Sequence, residues 1–413
     1  MTTLILQAPE SLKGSHVVQL PASKSISNRA LIVAAQCQVI GRIDNLSDAD
    51  DTKLLLKALT EPTDDINVGH GGTTLRFLLA YLAVNGYKCL LSGSNQLNKR
   101  PVKPLVEALR RLGADIEYVD VDGYPPLRLK GFVQKENKVH IPAHVSSQFI
   151  SALLLVAPSL PQGLDINLMG RVISRPYLDM TLKVMNHYGI YPEWEGTKIR
   201  VNAGSYEPKS FSVESDWSAA SYIYALATAY REASFTMPGL YDVSIQGDAK
   251  IRTYSREFFG VSTQINDDGA TCQWSGNEPS AFEGDLLQEP DLCPAIAVMC
   301  AINNVSGRFN GLESLRIKET DRIAALHQEL SHWGYSFEEV EDGAFRYILS
   351  GRLKKTSYMP VIKTYHDHRM AMALSVMSSL QPITIAGPLV VTKSFPGFWQ
   401  MLEALGFSLD WQE

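Results

Sequence analysis

The sequence has little of what an exported, membrane-bound or metal-dependent protein needs. Five cysteines (Cys37, Cys89, Cys272, Cys293, Cys300) stand among 413 residues. Their number is odd and no C-x-x-C spacing occurs, so neither a disulfide framework nor a thiolate zinc site is indicated. Reduced thiols in a cytoplasmic protein fit best. No apolar run reaches membrane-spanning length; the best, Leu292–Ile302, is short and contains a proline. Residues Met1–Gly14 lack a basic segment followed by an apolar core, so no signal peptide is expected. The nine histidines are scattered without an H-E-x-x-H pattern, and neither a metal nor an organic cofactor is expected. Positive charge is also in deficit. Lys and Arg number 38 against 44 Asp and Glu, a net charge of −6, which argues against nucleic acid as a partner. Any anion site must therefore come from local clustering of cations.

What is present is the composition of a soluble globular protein, 45% hydrophobic and 20% charged. The chain is too long for one ordinary core, so two domains are expected. It also repeats itself. Amphipathic helical stretches end in Gly113, Gly189, Gly260, Gly334 and Gly406, successive steps of 76, 71, 74 and 72 residues. Each glycine is followed by a strand pattern, a turn and, in all but the last copy, a second strand. Such regularity signals repeated α/β units, with glycine as the left-handed residue that ends a helix. Asp-Gly at 122–123, 268–269 and 342–343 predicts hairpin turns. The last copy, Met401–Trp411, lacks its second strand, and Leu4–Leu6 is expected to complete that sheet. This places residues 1–20 with 216–413 in one domain and 21–215 in the other. The crossings fall at Pro21 and near Ser212–Ser218.

A second pattern runs alongside. Helices begin with a polar or charged cluster and then turn apolar. Leu20–Ala30 (LPASKSISNRA) puts Lys24 and Arg29 at a helix start, where cations are disfavoured unless an anion is held there; its Ser and Asn residues are expected to cap the free N–H groups of the first turn. Gly69–Arg76 is Gly-rich, with Thr73 or Thr74 as the expected cap. Val145–Gln148 offers two serines and an amide, a donor set suited to phosphate. Ser174–Tyr177 has a capping serine with proline two residues on. Asp291–Ala295 opens another helix. Arg316–Arg322 (RIKETDR) crowds five ionisable side chains, an arrangement that tunes a carboxylate for proton transfer. Tyr365–Arg369 (YHDHR) sets Asp367, His368 and Arg369 before a buried helix. Lys24, Arg29, Arg76, Arg100, Lys318, Arg322, Arg369 and Lys393 all lie in or beside such stretches. In a chain of net negative charge they call for a strongly anionic small ligand, focused in a cleft between domains.

In this order, S-K-S-I-S-N-R-A, G-G-T-x-x-R, K-R-P, S-S-Q-F, S-R-P-Y, P-D-L, K-E-T-D-R, D-H-R-M-A-M and K-S-F-P resemble the 5-enolpyruvylshikimate-3-phosphate synthase family. The likeness runs from Leu20 to Pro396. It implies an α/β fold of two similar domains, each of three βαβαββ repeats, with helices inside, sheets outside and a cleft between. It implies an enolpyruvyl transferase of aromatic amino-acid biosynthesis that joins shikimate 3-phosphate to phosphoenolpyruvate and releases phosphate, as a cytoplasmic monomer. Carried over residue by residue, Lys24, Ser25, Arg29, Ser146, Ser147, Gln148, Ser174, Tyr177, Asp291, Ser314 and Lys318 would hold shikimate 3-phosphate. Lys24, Gly72, Arg100, Gln148, Glu319, Arg322, His368, Arg369 and Lys393 would surround phosphoenolpyruvate. Asp291 would take the proton of the attacking hydroxyl, Glu319 would protonate the methylene carbon, and Lys24 would assist.

Several positions depart from the family's usual pattern. His70 and Gly71 stand in its G-N-A-G-T stretch, Phe77 where proline is frequent, Ser314 where asparagine is common, and His366 where asparagine usually precedes Asp367. Two other functions remain open on the residues alone. A UDP-N-acetylglucosamine enolpyruvyl transferase would share fold and donor, but Ser92–Lys99 lacks the cysteine that family usually carries. A non-catalytic binder of phosphorylated metabolites would need neither Asp291 nor Glu319.

Overall fold

The computed structural model describes residues 2–340, 343 and 345–412. The chain divides into two compact units, Ala22–Val213 and Met1–Pro21 with Glu214–Glu413. No helix among the described residues is long and apolar enough to cross a membrane.

The unit Ala22–Val213 carries six helices: α1 (Lys24–Gln36), α2 (Asp50–Thr60), α3 (Gly72–Val84), α4 (Lys103–Leu112), α5 (Ser147–Val156) and α6 (Arg175–His187). Helices α3 and α5 are apolar on every side and almost wholly buried, the expected fate of a helix with no polar face. They pack on each other and on α1. The sheets lie outside them. Strands Asp65–Asn67 and Cys89–Ser92 run parallel, joined through α3. After α4, strands Ala114–Tyr118 and Leu127–Phe132 pair antiparallel and add to the same sheet. This is one βαβαββ unit. Lys138–Pro142, α5, Leu164–Met169, α6, Glu193–Glu195 and Lys198–Val201 form a second with the same pairing. The third sheet of this unit is reduced to Ile43–Asp44 beside Phe211–Ser212. Asn45 follows at φ +54°, a left-handed conformation that ends the strand.

The other unit carries α7 (Trp217–Ala229), α8 (Ile251–Phe258), α9 (Cys293–Ile302), α10 (Arg322–Leu330), α11 (His368–Ser375) and α12 (Phe398–Ala404). Helices α7, α9 and α11 form its apolar centre. Among the described residues, three four-stranded sheets pack around them. In one, Thr3–Gln7 lies between Ile383–Ala386 and Ser408–Gln412, antiparallel to both. It occupies the place of the second strand that the last repeat lacks. In another, Gly14–Val17 runs parallel to Ala233–Met237.

The repeat glycines behave as their spacing requires: Gly113, Gly189, Gly260, Gly334 and Gly406 all have φ between +64° and +119°. The Asp-Gly turns differ from expectation. Asn266 faces Gly269 across the ladder, so Asp267 and Asp268 make the turn, with the Asn266 side chain accepting from the Asp268 amide at 3.0 Å. Gly269 instead opens the return strand, where a Cβ would strike the Met237 carbonyl. Asp122 and Gly123 lie within a longer loop, 119–126, rather than a tight hairpin. Asp342, of the third Asp-Gly, lies outside the described residues.

Candidate active site

In the unit Ala22–Val213 the candidate residues sit at helix N-termini. Ser23 holds the N-cap position of α1 but makes no capping hydrogen bond through its side chain. The polar side chains of this stretch do other work. The Ser27 hydroxyl accepts from the Ser47 amide (3.0 Å), and Asn28 accepts from the Thr52 hydroxyl (2.8 Å). The capping expectation is therefore corrected: Ser27 and Asn28 are buried, and their side-chain oxygens fasten α1 to α2 and its approach. Lys24 opens α1 and donates to Asp51 of α2 at 3.1 Å, which offsets the cost of a cation at that end. Asp51 had no distinctive signal beyond an acidic first turn of α2.

Arg29 is 2% exposed. Its guanidinium donates to the hydroxyls of Thr181 (2.8 Å) and Ser151 (3.4 Å) and to the carbonyls of Ser25 (2.7 Å) and Tyr177 (3.1 Å). It lies over the Phe77 ring at 5.4 Å, so the aromatic at that position serves as the cation's floor. All of these partners are neutral, and burial pulls the Arg29 pKa down to about 10. A buried cation solvated only by dipoles is a place where an anion gains most.

Gly71 is the N-cap of α3, replacing the expected threonines. The Thr74 hydroxyl donates to the Asp51 carbonyl at 2.7 Å, which ties α3 to α2. Gly72 opens the helix, and two guanidinium groups crowd it. A Cβ there would lie 2.5 Å from Arg100 Nη1 and 2.9 Å from Arg76 Nη1. Arg76 also donates to the Gln148 side-chain oxygen at 2.8 Å, which links α3 to the start of α5. There the Ser146 hydroxyl caps, accepting from the Gln148 amide at 3.3 Å, and Ser147 is the first helical residue. Ser174, at the N-cap of α6, has φ +53° and makes no capping hydrogen bond through its side chain. A non-glycine residue in that conformation is a strained position of the kind that clusters at working sites.

In the second unit the arrangement is built around Arg322, the first residue of α10 and 1% exposed. It donates to three carboxylates: Asp367 (2.7 and 3.3 Å), Asp291 (2.8 Å) and Glu319 (2.9 Å). Asp321, not Thr320, caps α10, accepting from the Ile323 and Ala324 amides at 3.1 Å. Asp367 caps α11, accepting from the Arg369 amide at 2.9 Å. Its buried partner is Arg322 rather than its neighbour. Asp291, in the short turn Pro290–Leu292 before α9, also meets Arg369 (3.0 Å) and Lys318 (3.4 Å). Burial alone would raise its pKa, but Arg369, Lys318 and Arg322 together hold it well below the usual carboxylate range. Arg369 further donates to the Ser218 hydroxyl at 3.3 Å, and Ser218 is bonded to Asp248. Asp248 is pushed up to about 6, chiefly by burial and also by Asp291, against the pull of Arg369. Ser218 and Asp248 were not legible in the sequence; Asp248 sits in a single turn, Gly247–Lys250, with no periodicity of its own.

Lys393 donates to the His366 carbonyl at 3.1 Å, and His368 is the buried first residue of α11. Ser314 is buried in the turn Glu313–Ile317, and the structure gives it no side-chain hydrogen bond to the other candidates among the described residues. Some of the expected residues thus contact one another: Arg29 with Ser25 and Tyr177, and Arg76 with Gln148, in the first unit; Asp291, Lys318, Glu319, Arg322 and Arg369 in the second.

The sequence matches the family model for EPSP synthase (3-phosphoshikimate 1-carboxyvinyltransferase) over residues 6–65 and 57–402. The chain belongs to the EPSP synthase family. The 3-phosphoshikimate 1-carboxyvinyltransferase of Bacteroides fragilis (strain YCH46) is 42% identical over 408 residues, 98% of each chain. That of Vibrio campbellii is 33% identical over 436 residues, 98% of this chain and 100% of the relative. Among solved structures, EPSP synthase from Acinetobacter baumannii gives a TM-score of 0.78 at 21% identity over the whole of both chains. The enolpyruvyl transferase NikO from Streptomyces tendae gives 0.71 at 12% identity, covering 100% of this chain and 99% of that one. These two likenesses concern the fold. For an EPSP synthase family member, two departures now have physical content. Phe77 supports Arg29, and His366 occupies a left-handed position, φ +55°, which asparagine and histidine tolerate better than most residues.

Proposed function

We propose that the chain transfers the enolpyruvyl group of phosphoenolpyruvate to the 5-hydroxyl of shikimate 3-phosphate, releasing phosphate, in the route to aromatic amino acids. The observation that carries the reading is Asp291, an acid kept ionised by Lys318, Arg322 and Arg369. An ionised carboxylate can accept a proton, but so many cations make it a weak base. The two substrates together bring roughly −5 to −6 of charge. Phosphoenolpyruvate drawing Arg369 and Lys318 toward itself would raise the basicity of Asp291 when both substrates are in place.

In this scheme Asp291 takes the 5-hydroxyl proton as the oxygen bonds to C2 of phosphoenolpyruvate. Glu319, having taken up a proton from solvent, delivers it to the C3 methylene, giving a tetrahedral intermediate. Return of a C3 proton to Glu319, with the Asp291 proton passing to the departing phosphate, then restores the double bond in the product. Arg29 and Ser25 would bind the shikimate carboxylate, and Ser146, Ser147, Ser174 and Gln148 its phosphate. Tyr177 would flank the ring, and Ser314 and Lys318 would complete the pocket. Lys24, Gly72, Arg100, His368, Arg369 and Lys393 would hold phosphoenolpyruvate. Arg322, which already grips three carboxylates, would chiefly order Asp291 and Glu319. Each charge-assisted hydrogen bond would contribute about 1.5–3 kcal/mol.

The test is phosphate release from phosphoenolpyruvate with shikimate 3-phosphate as acceptor, run beside the same mixture with UDP-N-acetylglucosamine. Release only with shikimate 3-phosphate is expected. Release only with the nucleotide sugar would transfer the chain to the other acceptor, and binding without release would leave a non-catalytic binder.

A further inference from the structure

Helix α10 grips the segment leading into α11 at two points. At its N-terminal end Arg322 holds the Asp367 carboxylate. Two turns later, on the same face, Glu329 is 1% exposed. It accepts from the Lys363 amide at 3.2 Å and from the Tyr365 hydroxyl at 2.5 Å. Between the two grips lie Tyr365 and His366, at φ +53° and +55°. Two consecutive residues with a Cβ in the left-handed region form a strained backbone that persists only when its surroundings insist on it.

That turn has a product. It is closed by the Asp367 amide donating to the Thr364 carbonyl at 2.8 Å, while the Thr364 hydroxyl is anchored to the Ala386 carbonyl at 2.9 Å. It presents the His366 carbonyl to Lys393. It also leaves Asp367 extended at the α11 N-cap, in reach of the Arg369 amide and of Arg322. The placement of Lys393 and Arg369 thus depends on a conformation that Tyr365 would abandon for ordinary backbone if its hydroxyl had no buried acceptor. Glu329 is that acceptor. Besides Tyr365, the ionisable groups acting on Glu329 among the described residues include His332, whose Nε2 stands 3.9 Å away, and Lys363.

We propose that Glu329 is a positioning residue for the phosphoenolpyruvate half of the reaction: through Tyr365 it holds the left-handed 365–366 turn, and with it Lys393 and Arg369. Nothing places Glu329 against a substrate. The inference rests on the assignment of Lys393 and Arg369 to phosphoenolpyruvate.

The experiment is steady-state kinetics on Tyr365→Phe and Glu329→Gln, each alone and combined with His366→Gly, with each substrate varied in turn. Tyr365→Phe is expected to raise the Michaelis constant for phosphoenolpyruvate about tenfold, the scale of one lost hydrogen bond to a buried carboxylate. That for shikimate 3-phosphate should stay within about twofold of wild type, a change too small to report a lost hydrogen bond. Adding His366→Gly should recover most of the loss, because glycine adopts the left-handed conformation unaided. If Glu329→Gln fails to fold, Tyr365→Phe with and without His366→Gly decides alone. A lowered melting temperature with both Michaelis constants unchanged makes Glu329 a packing residue and overturns the proposal; so do equal rises for both substrates. Absence of product from the wild-type enzyme assayed alongside would instead overturn the functional reading.

Discussion

Two arginines, Arg29 and Arg322, are almost equally buried, at 2% and 1% exposure, yet replacing each by methionine should have very different consequences. Arg29 has only neutral partners. A fall of its pKa from 12.5 to about 10 corresponds to about 3 kcal/mol of penalty on the charged form in the folded state. Arg29→Met removes that penalty and keeps the packing against Phe77, but forfeits four hydrogen bonds of about 1 kcal/mol each. The two nearly cancel, and the melting temperature without ligand should stay within a few degrees of wild type. The sign with pH follows from a depressed cation pKa. The penalty is constant at every pH below the folded value and is relieved only as pH rises through about 10, so the comparison should be flat across neutrality. Arg322→Met leaves Asp367, Asp291 and Glu319 facing one another without their shared cation. Breaking such a buried pair costs about 3–5 kcal/mol, or roughly 10 °C for a unit of this size. The folded pKa of Asp291 lies below its ordinary value, so this contribution is present above that ordinary value and is lost as pH falls through the folded one. The Arg322→Met deficit should therefore shrink in acid. The assay is thermal unfolding of both variants with and without shikimate 3-phosphate. Wild type should be stabilised by the ligand and Arg29→Met should not. An Arg29→Met protein that melts 10 °C early without ligand but is still stabilised by it would refute the reasoning.

Asp291→Asn and Glu319→Gln should each lower turnover by about 10² or more while binding of both substrates survives, measured by kinetics and by titration. Gly72→Ala should raise the Michaelis constant for phosphoenolpyruvate, because the added methyl group lands on the Arg100 and Arg76 guanidinium groups; an unchanged constant would mean those groups do not hold that substrate. Arg100→Ala should raise the same constant more than that for shikimate 3-phosphate, and equal rises would count against the site map. Prolonged chelator treatment should leave turnover unchanged.

The sequence carried the repeat and the helix starts because both follow local rules. A glycine at φ +81° after Trp333 or a serine capping at 146 is written in neighbouring residues. The missing strand of the last repeat was likewise readable, since an unpaired edge demands a partner and Leu4–Leu6 is an apolar run outside every other repeat. What escaped was pairing across distance. The acid partner of Lys24, Asp51, and the Ser218–Asp248 pair beside Arg369 come from helices and turns whose own sequences say nothing of their neighbours. The capping role assigned to the serines near Lys24 failed for the same reason. Burial turned Ser27 and Asn28 into inter-helix ties, a tertiary demand that outweighed the local one. The Asp-Gly at 268–269 misled by one residue, because its glycine answers to the Met237 carbonyl of an adjacent strand rather than to the turn.

The position of Thr3–Gln7 between Ile383–Ala386 and Ser408–Gln412 sets a timetable for synthesis. At about 5–20 residues per second, the ribosome needs on the order of 20–80 s between making that strand and making its last partner. Throughout, an apolar segment with two open edges waits in the nascent chain. Residues 22–213, which form a compact unit of their own, are complete long before. A release or pause before residue 408 would leave that strand unmatched on one side, and such truncated products should be bound by chaperones or aggregate in preference to folding.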